Sequence, residues 1–208
     1  RDFSVNRLER YLTICNASKI EPIIVLSKVD LIEKEELEDL VNQVKTRIKN
    51  VSLFAISNQS QSGIEEIKST LLKGKTYCLL GSSGVGKSTL INVLTDSAMM
   101  ETGEISEAID RGKHVTSHRE LVVLANGILI DNPGMREVGI TDNSEGLEMT
   151  FDELLSLADD CKFSDCTHTN ETGCAVLNAL ENGELDADSY ANFMKMEKEK
   201  LKKKLCIV

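Results

Sequence analysis

The chain has 208 residues, enough to bury a substantial core in one domain with a small appendage. Its 41% apolar and 28% charged residues are typical of a folded globular protein and exclude a wholly disordered chain. The net charge of −10 argues against a protein whose whole surface binds nucleic acid, and no apolar run approaches the ~20 residues of a membrane-spanning helix. Because the chain begins with Arg1 and shows no secretory leader pattern, we expect a cytoplasmic piece of a longer protein.

Apolar and amphipathic stretches alternate and predict an α/β fold with a mainly parallel sheet, followed by a helical region. The spacing predicts strands at 23–27, 51–56, 76–80, 120–125 and 127–131. It predicts helices at 33–48, 62–72, 87–96, 151–158, 174–182 and 187–204. We expect Ser62 to cap the second helix and Asn126–Gly127 to form a hairpin turn. The acidic stretch 142–148 is predicted to be a linker, which places a domain boundary between residues 145 and 146.

A glycine-rich segment between a predicted strand and a predicted helix fits the phosphate-loop pattern G-x-x-x-x-G-K-[ST]. Its backbone N–H groups and the helix N-terminus suit a polyphosphate, while Lys87 would reach the β and γ phosphates and Ser88 would bind Mg²⁺. The alternative is a glycine-rich turn that binds nothing. The candidate nucleotide-binding residues of this segment are Gly81, Ser82, Ser83, Gly84, Val85, Gly86, Lys87, Ser88 and Thr89.

Two further segments suggest guanine rather than adenine as the base. Residues Ser27, Lys28, Val29 and Asp30 follow a predicted strand and resemble the box [NT]-K-x-D, whose carboxylate accepts from guanine N1–H and N2–H₂. Ser57–Asn58 closes another strand, where a backbone N–H would meet guanine O6. The alternatives are a solvated Lys/Asp pair with Asp30 as a helix N-cap, and an ATP-using phosphate-loop enzyme.

The segment Asp131–Gly134 fits the pattern D-x-x-G, which contacts Mg²⁺ and the γ-phosphate. Asp131 would hold Mg²⁺ through water, and the Gly134 N–H would contact the γ-phosphate; the alternative is an ordinary Asn-Pro-Gly turn. The polar loop upstream supplies Thr116 as a third candidate Mg²⁺ residue. Position 135 is Met, which cannot orient an attacking water, and His114 is therefore the candidate catalytic group. A surface histidine without a catalytic role is the alternative.

The order of these boxes is rotated relative to Ras-like GTPases. There the phosphate loop comes first and the guanine box follows D-x-x-G, whereas here residues 27–30 precede residues 81–88. Moving the chain ends leaves a site intact because termini and loops lie at the surface. The order therefore predicts a circular permutation.

A cluster of three cysteines and one histidine lies beyond the predicted boundary. Cys161, Cys166, His168 and Cys174 supply the complete tetrahedral ligand set of a structural zinc ion, which leaves no open position for a catalytic water. The alternative is an accidental group of free thiols.

Taken together, the chain resembles the circularly permuted ribosome-assembly GTPases of the RsgA (YjeQ) type over essentially its whole length. The resemblance rests on Ser27–Leu31, Gly81–Ser88, Arg111–His114, Asp131–Glu137 and the spacing of the Cys/His cluster. It implies GTP hydrolysis stimulated by the small ribosomal subunit, a late role in subunit maturation, a catalytic histidine at position 114 and an N-terminal rRNA-binding OB-fold that is missing here.

The resemblance implies a permuted GTPase domain at 1–145 that includes a lead-in helix, and a zinc-binding helical domain at 146–208. Expected partners are GTP or GDP, the small subunit and its rRNA; we expect a monomer. Four residues depart from the family pattern: Ser27 stands in place of Asn or Thr, Val115 and Ser117 in place of Thr, and Asn132 in place of Thr. A nucleotide-sensing, ribosome-binding module with negligible hydrolysis is the alternative function.

Overall fold

The fold is described from a computed structural model, which covers residues 3–95, 120–124, 126–131 and 144–205. The helices are α1 (Val5–Ala17), α2 (Lys34–Arg47), α3 (Ile64–Thr70), α4 (Lys87–Thr95), α5 (Ser144–Thr150), α6 (Asp152–Ala158), α7 (Ala175–Glu181) and α8 (Ala187–Leu205). The strands are β1 (Ile23–Leu26), β2 (Ser52–Ala55), β3 (Thr76–Leu79), β4 (Glu120–Leu124) and β5 (Gly127–Asp131), and a 3₁₀ turn covers Val29–Leu31. This element order confirms the predicted α/β fold.

The described residues form two compact units that interleave along the chain. The first comprises Ile23–Leu40 and the described part of Ser52–Glu137, and the second comprises Phe3–Pro22, Val41–Val51 and the described part of Val138–Val208. The domain boundary between residues 145 and 146, which divides the GTPase domain from the zinc-binding domain, stays a prediction.

The described strands of the first unit form two sheets, β1–β2 and β3–β5–β4, and parallel pairing aligns the carboxyl ends of two strands in each. Strand β1 pairs in parallel with β2, with Leu26 opposite Ala55. Strand β3 pairs in parallel with β5, with Leu79 opposite Asp131. Strand β4 runs antiparallel to β5, so the predicted hairpin is confirmed; Gly127, predicted in the turn, is the first residue of β5 and pairs with Leu124. In parallel sheets, loops at the carboxyl ends of the strands form the binding crevice, and each of these four strands is followed by a predicted site segment.

Helices α3 and α4 and the sheet strands share one apolar core in the first unit. The buried side chains are aliphatic: Ile56, Ile64, Ile67, Leu90, Ile91, Leu94, Val122 and Leu129. Val122 and Leu129 lie opposite one another on β4 and β5. Leu121 and Val123, on either side of Val122, point away from the core and are exposed. The core therefore fixes the first turn of α4, and with it the phosphate-loop segment that leads into this helix.

Two local predictions were wrong. Gly63, with φ of +73°, occupies the N-cap of α3 in place of Ser62. A Cβ at this position would collide with the backbone carbonyl of Ala55, so only glycine fits so close to β2. The stretch 142–148, predicted as a linker, contains the start of α5; residues 142 and 143 lie outside the described residues.

Tertiary packing explains the helix at α5. Gly146 is buried, and any side chain there would collide with the backbone of Thr13 in α1. Thr150 ends the helix by accepting hydrogen bonds from Thr13 Oγ1 at 3.2 Å and Asn16 Nδ2 at 3.0 Å. Leu147 joins the core of the second unit, where Phe151 and Phe193 meet edge to face with ring centroids 5.4 Å apart.

A buried ion pair links three helices of the second unit. The Arg47 guanidinium donates to both carboxylate oxygens of Glu9, at 3.0 and 2.7 Å, and the two side chains are only 8% and 2% exposed. Asn192 Nδ2 donates to the same carboxylate at 2.6 Å. Burial raises the pKa of Glu9, and the bonds from Arg47 and Asn192 counteract this. The pair thus connects α1, the end of α2 and α8.

Among the described residues, no helix has the length and apolarity needed to cross a bilayer.

We predict that Arg47→Ala lowers the free energy of unfolding by about 3–5 kcal/mol, because it leaves the buried Glu9 carboxylate without its counter-ion. The loss should be smaller near pH 5 than near pH 8. Without Arg47 the folded-state pKa of Glu9 lies further above its unfolded value, so the native state binds more protons and gains stability as the pH falls.

The matched control is Lys49→Ala, which removes an ion pair to Glu153 whose side chains are both more than half exposed. We expect a change within about 0.5 kcal/mol. Urea denaturation at both pH values measures the two variants, and equal effects would contradict the prediction.

Candidate functional site

The phosphate-loop segment links β3 to α4 and forms a closed turn. Gly84 and Gly86 have φ of +79° and +98°, values that side-chain-bearing residues rarely adopt. The Lys87 ammonium reaches back across the turn and donates to the carbonyls of Gly81 at 2.9 Å and Ser82 at 3.0 Å. Burial lowers the pKa of Lys87, while the negative charge of Asp131 opposes this shift. A cation is therefore held over the turn, at the place where a polyphosphate would need one.

Two of the three predicted Mg²⁺ residues lie side by side. The Ser88 hydroxyl donates to Asp131 Oδ2 at 3.4 Å, and Asp131 is 3% exposed at the end of β5. A hydroxyl and a carboxylate in contact are the oxygen ligands that Mg²⁺ prefers. Thr116 lies outside the described residues, as do Gly134 and His114.

The predicted base-recognition residues contact the phosphate-loop segment directly. Ser27 Oγ donates to the Val85 carbonyl at 2.6 Å, and Lys28 Nζ donates to the Gly84 carbonyl at 2.8 Å. The alternative of a solvated Lys/Asp pair does not explain these bonds. Lys28 adopts a left-handed conformation (φ +61°) and precedes the 3₁₀ turn, which leaves Asp30 exposed. The box thus joins the phosphate loop while its carboxylate stays accessible.

The loop after β2 contacts the same segment. Asn58 Nδ2 donates to the Gly86 carbonyl at 3.1 Å. Ser57 is buried, and its N–H donates to the Ser62 carbonyl at 3.0 Å while its hydroxyl accepts from the N–H of Ser60. The loop is therefore folded against the phosphate-loop segment. The side-chain contact of Asn58 was not expected from the sequence.

The four cysteine and histidine side chains converge in the second unit. Their ligand atoms all lie within 4.8 Å of one another. Cys161 Sγ lies 3.8 Å from Cys174 Sγ, and His168 Nδ1 lies 3.4 Å from Cys174 Sγ. Tetrahedral zinc with ligand bonds near 2.0–2.3 Å requires ligand separations of about 3.3–3.8 Å, so the spacing fits a metal ion.

The surroundings of the cluster favour thiolates at one end. The N–H of Ala175 donates to Cys161 Sγ and that of Leu177 donates to Cys174 Sγ, both at the N-terminus of α7. Burial acts to raise the pKa of Cys161, but hydrogen bonds from the N–H groups of Ala175 and Val176 and from the neighbouring thiols together lower the pKa. Burial, with the nearby thiols of Cys174 and Cys161, raises the pKa of Cys166 to about 11. Metal binding must therefore displace protons from this group.

Two residues that the sequence did not single out hold the cluster in shape. The Glu171 carboxylate accepts hydrogen bonds from the N–H groups of Thr167, Thr169 and Asn170 and from the Thr167 hydroxyl, and the bonds from Thr167 hold its pKa well below the usual range. Tyr190 Oη donates to the His168 carbonyl at 2.6 Å. Only the run of hydroxyl and amide residues before Glu171 hinted at such a loop.

Comparison with known proteins supports one family. A family model described as RsgA GTPase matches residues 1–141, well over half of the chain. The chain belongs to the RsgA GTPase family. The resemblance inferred from the motifs is thus confirmed.

Individual members of the RsgA family are similar over nearly the whole chain. A "Small ribosomal subunit biogenesis GTPase RsgA 2" of Listeria monocytogenes is 47% identical over 95% of this chain and 57% of its own length. The RsgA of Methanosarcina acetivorans is 40% identical over 96% of this chain and 54% of its own length. The chain therefore spans just over half the length of these curated relatives.

Solved structures support the permuted fold of an RsgA protein. The crystal structure of YjeQ from Thermotoga maritima has a TM-score of 0.68 and 29% identity, covering 96% of this chain and 66% of that one. YloQ, described as a circularly permuted GTPase, has a TM-score of 0.66 and 28% identity, covering 95% and 63%. The permutation predicted from the order of the boxes is confirmed.

We predict that Cys174→Ser abolishes stoichiometric binding of Co²⁺, used as a spectroscopic substitute for a tetrahedral metal ion, because three ligands do not complete the shell. Absorption titration measures thiolate-to-metal charge transfer. The control is Cys78→Ser, which removes an exposed thiol on β3 in the other unit. Equal Co²⁺ spectra for both variants would contradict the assignment of the ligands.

Proposed function

We propose that the chain is a Mg²⁺-dependent GTPase whose hydrolysis serves late maturation of the small ribosomal subunit. The observation that carries the proposal is the set of hydrogen bonds from base-recognition residues to phosphate-loop carbonyls. Ser27, Lys28 and Asn58 contact three consecutive residues of the loop, so a base held near Asp30 and a polyphosphate held by Lys87 belong to one site. The names of the relatives support the ribosomal role.

Each part of the nucleotide has a proposed partner. Asp30 accepts from guanine N1–H and N2–H₂, the Lys28 stem lies along the base, and the backbone N–H of Asn58 meets O6, since that of Ser57 already donates to the Ser62 carbonyl. Phosphate oxygens bind the N–H groups of the segment 81–89 and the Lys87 ammonium, and Gly134 contacts the γ-phosphate. Ser88, Asp131 and Thr116 would hold Mg²⁺, which neutralises charge that develops on the phosphates.

The catalytic group is proposed from sequence alone. Met135 has no hydrogen-bonding group with which to orient water, and His114 supplies a polar group that titrates near neutral pH. In the proposed mechanism His114 positions the attacking water, and binding to the small subunit brings His114 into place.

The Cys161, Cys166, His168 and Cys174 cluster is proposed to bind structural Zn²⁺, since four thiolate and imidazole ligands leave no open position. The protein is proposed to be a cytoplasmic monomer that also contacts rRNA. A nucleotide sensor with negligible hydrolysis is the second candidate function, because Met135 replaces the glutamine on which Ras-like hydrolysis depends.

We predict that Asp30→Asn weakens GDP binding by about 10- to 100-fold and transfers selectivity to xanthosine diphosphate. An asparagine amide donates where the carboxylate accepted, and xanthine presents a C2 carbonyl in place of the guanine 2-amino group. Calorimetry with GDP, XDP and ADP measures the change. Glu33→Gln, which removes a nearby acidic charge outside the box, is the control. Tighter ADP binding than GDP binding in the unmodified chain would contradict the guanine assignment.

We predict that His114→Ala lowers the GTP turnover stimulated by small ribosomal subunits by about tenfold or more. The affinity for GTP should change by less than about twofold. Turnover is measured with and without purified subunits. His118→Ala is the matched control on the same segment. Stimulated turnover that survives in His114→Ala excludes this catalytic role, and turnover that the subunits never stimulate favours the sensor.

A further inference from the structure

The serine at the first position of the guanine box can donate fewer hydrogen bonds than the asparagine that the pattern [NT]-K-x-D allows there. A hydroxyl has one hydrogen to donate, and Ser27 Oγ directs it to the Val85 carbonyl at 2.6 Å. An asparagine at this position would bring a side-chain amide with two N–H donors. The box of this chain therefore supplies one side-chain bond from position 27 and one from Lys28, and it leaves the next carbonyl along the loop, that of Gly86, without a side-chain donor.

We propose that Asn58 supplies this donor and is a positioning residue for the phosphate loop. Its amide group donates to the Gly86 carbonyl at 3.1 Å, from the loop that follows β2. Together with Lys28 and Ser27, it completes a row of bonds to the consecutive carbonyls of Gly84, Val85 and Gly86. The inference rests on the proposed binding of a guanine nucleotide and assigns to the Asn58 side chain a role that differs from the backbone contact to O6.

The geometry of the peptide bond gives this row its function. In a planar trans peptide the carbonyl of one residue and the N–H of the next point in opposite directions. Bonds that hold the carbonyls of Gly84, Val85 and Gly86 on one side therefore aim the N–H groups of Val85, Gly86 and Lys87 to the other. Those N–H groups are the anion-binding donors of the loop, so the three side chains orient them before a phosphate arrives.

The Asn58 side chain packs closely against Gly86. A Cβ at Gly86 would lie 3.1 Å from Asn58 Nδ2, so a larger residue at position 86 would push the amide away. Gly86 also accepts from the N–H of Leu90 at 2.9 Å, in the first turn of α4. Asn58 thus binds where the loop leads into the helix, at the carbonyl to which Ser27 and Lys28 do not donate.

The side-chain oxygen of Asn58 shows that the amide is held in place by the hydrogen bond from Nδ2. Asn58 Oδ1 is buried and has no hydrogen-bond partner among the described residues. An unsatisfied buried acceptor is unfavourable, so this orientation persists only because the N–H bond outweighs it. Turning the amide over would place oxygen against the Gly86 carbonyl, which excludes the reverse orientation.

The test compares Asn58→Ala and the near-isosteric Asn58→Asp, neither of which can donate to Gly86, with Gln59→Ala at the exposed neighbouring position. Binding of GDP and IDP is measured by calorimetry, and ³¹P NMR records the β-phosphorus resonance of bound GDP. We expect both Asn58 variants to weaken GDP and IDP equally, by about five- to tenfold or more, and to shift the β-phosphorus resonance. Gln59→Ala should change neither.

The outcomes separate this inference from the proposed function. Failure of the unmodified chain to bind GDP would contradict the proposed function, whereas unchanged binding by both Asn58 variants would overturn only the positioning role. Weaker binding of GDP and IDP with the β-phosphorus resonance unmoved would assign Asn58 to the base, whose O6 guanine and hypoxanthine share, and would also overturn it. Melting temperatures measured without nucleotide identify any variant that fails to fold, and the second variant then decides.

Discussion

The proposed nucleotide site depends on one physical constraint, the planarity of the peptide bond in the phosphate-loop segment. A flexible glycine-rich turn gains little by binding an anion if it must first order its N–H groups, because each fixed residue costs about 1–2 kcal/mol of conformational entropy. Here the carbonyls of Gly84, Val85 and Gly86 are already held from behind by side chains. The entropy is therefore lost during folding, and less of the binding free energy is spent on ordering the loop.

This constraint also explains why a rotated chain order preserves the site. The interacting loops follow β1, β2 and β3, and hydrogen bonds between loops depend on where the strands end rather than on how the strands are connected. The parallel register places Leu26 beside Ala55 and Leu79 beside Asp131, so each loop starts level with that of its paired strand. New termini change the connections alone, provided that they fall in surface segments.

Local sequence patterns predicted the elements and the boxes well, and failed where distant residues decide. The phosphate loop, the hairpin of β4 and β5 and the Cys/His spacing are local patterns with a physical reason for each residue type, and the structure forms all three in its described residues. Helix α5 was missed because its stability comes from close packing of Gly146 on α1, far away in sequence. Glu171 and Tyr190 were missed for the same reason, since each acts through a contact that only the folded loop creates.

The contact between Asn58 and Gly86 shows how a site can keep its geometry when one residue of a family motif is replaced. What the loop requires is a donor opposite each carbonyl, and the chain position that provides the donor is secondary. Ser27 is too short and has too few hydrogens to serve two carbonyls, whereas Asn58 lies on a neighbouring loop that is already pinned by the buried Ser57. The amide at position 58 thus reaches the carbonyl of Gly86, to which neither Ser27 nor Lys28 donates. The two residues should be regarded as one anchoring unit, and a substitution at either has its effect at the phosphate end of the site.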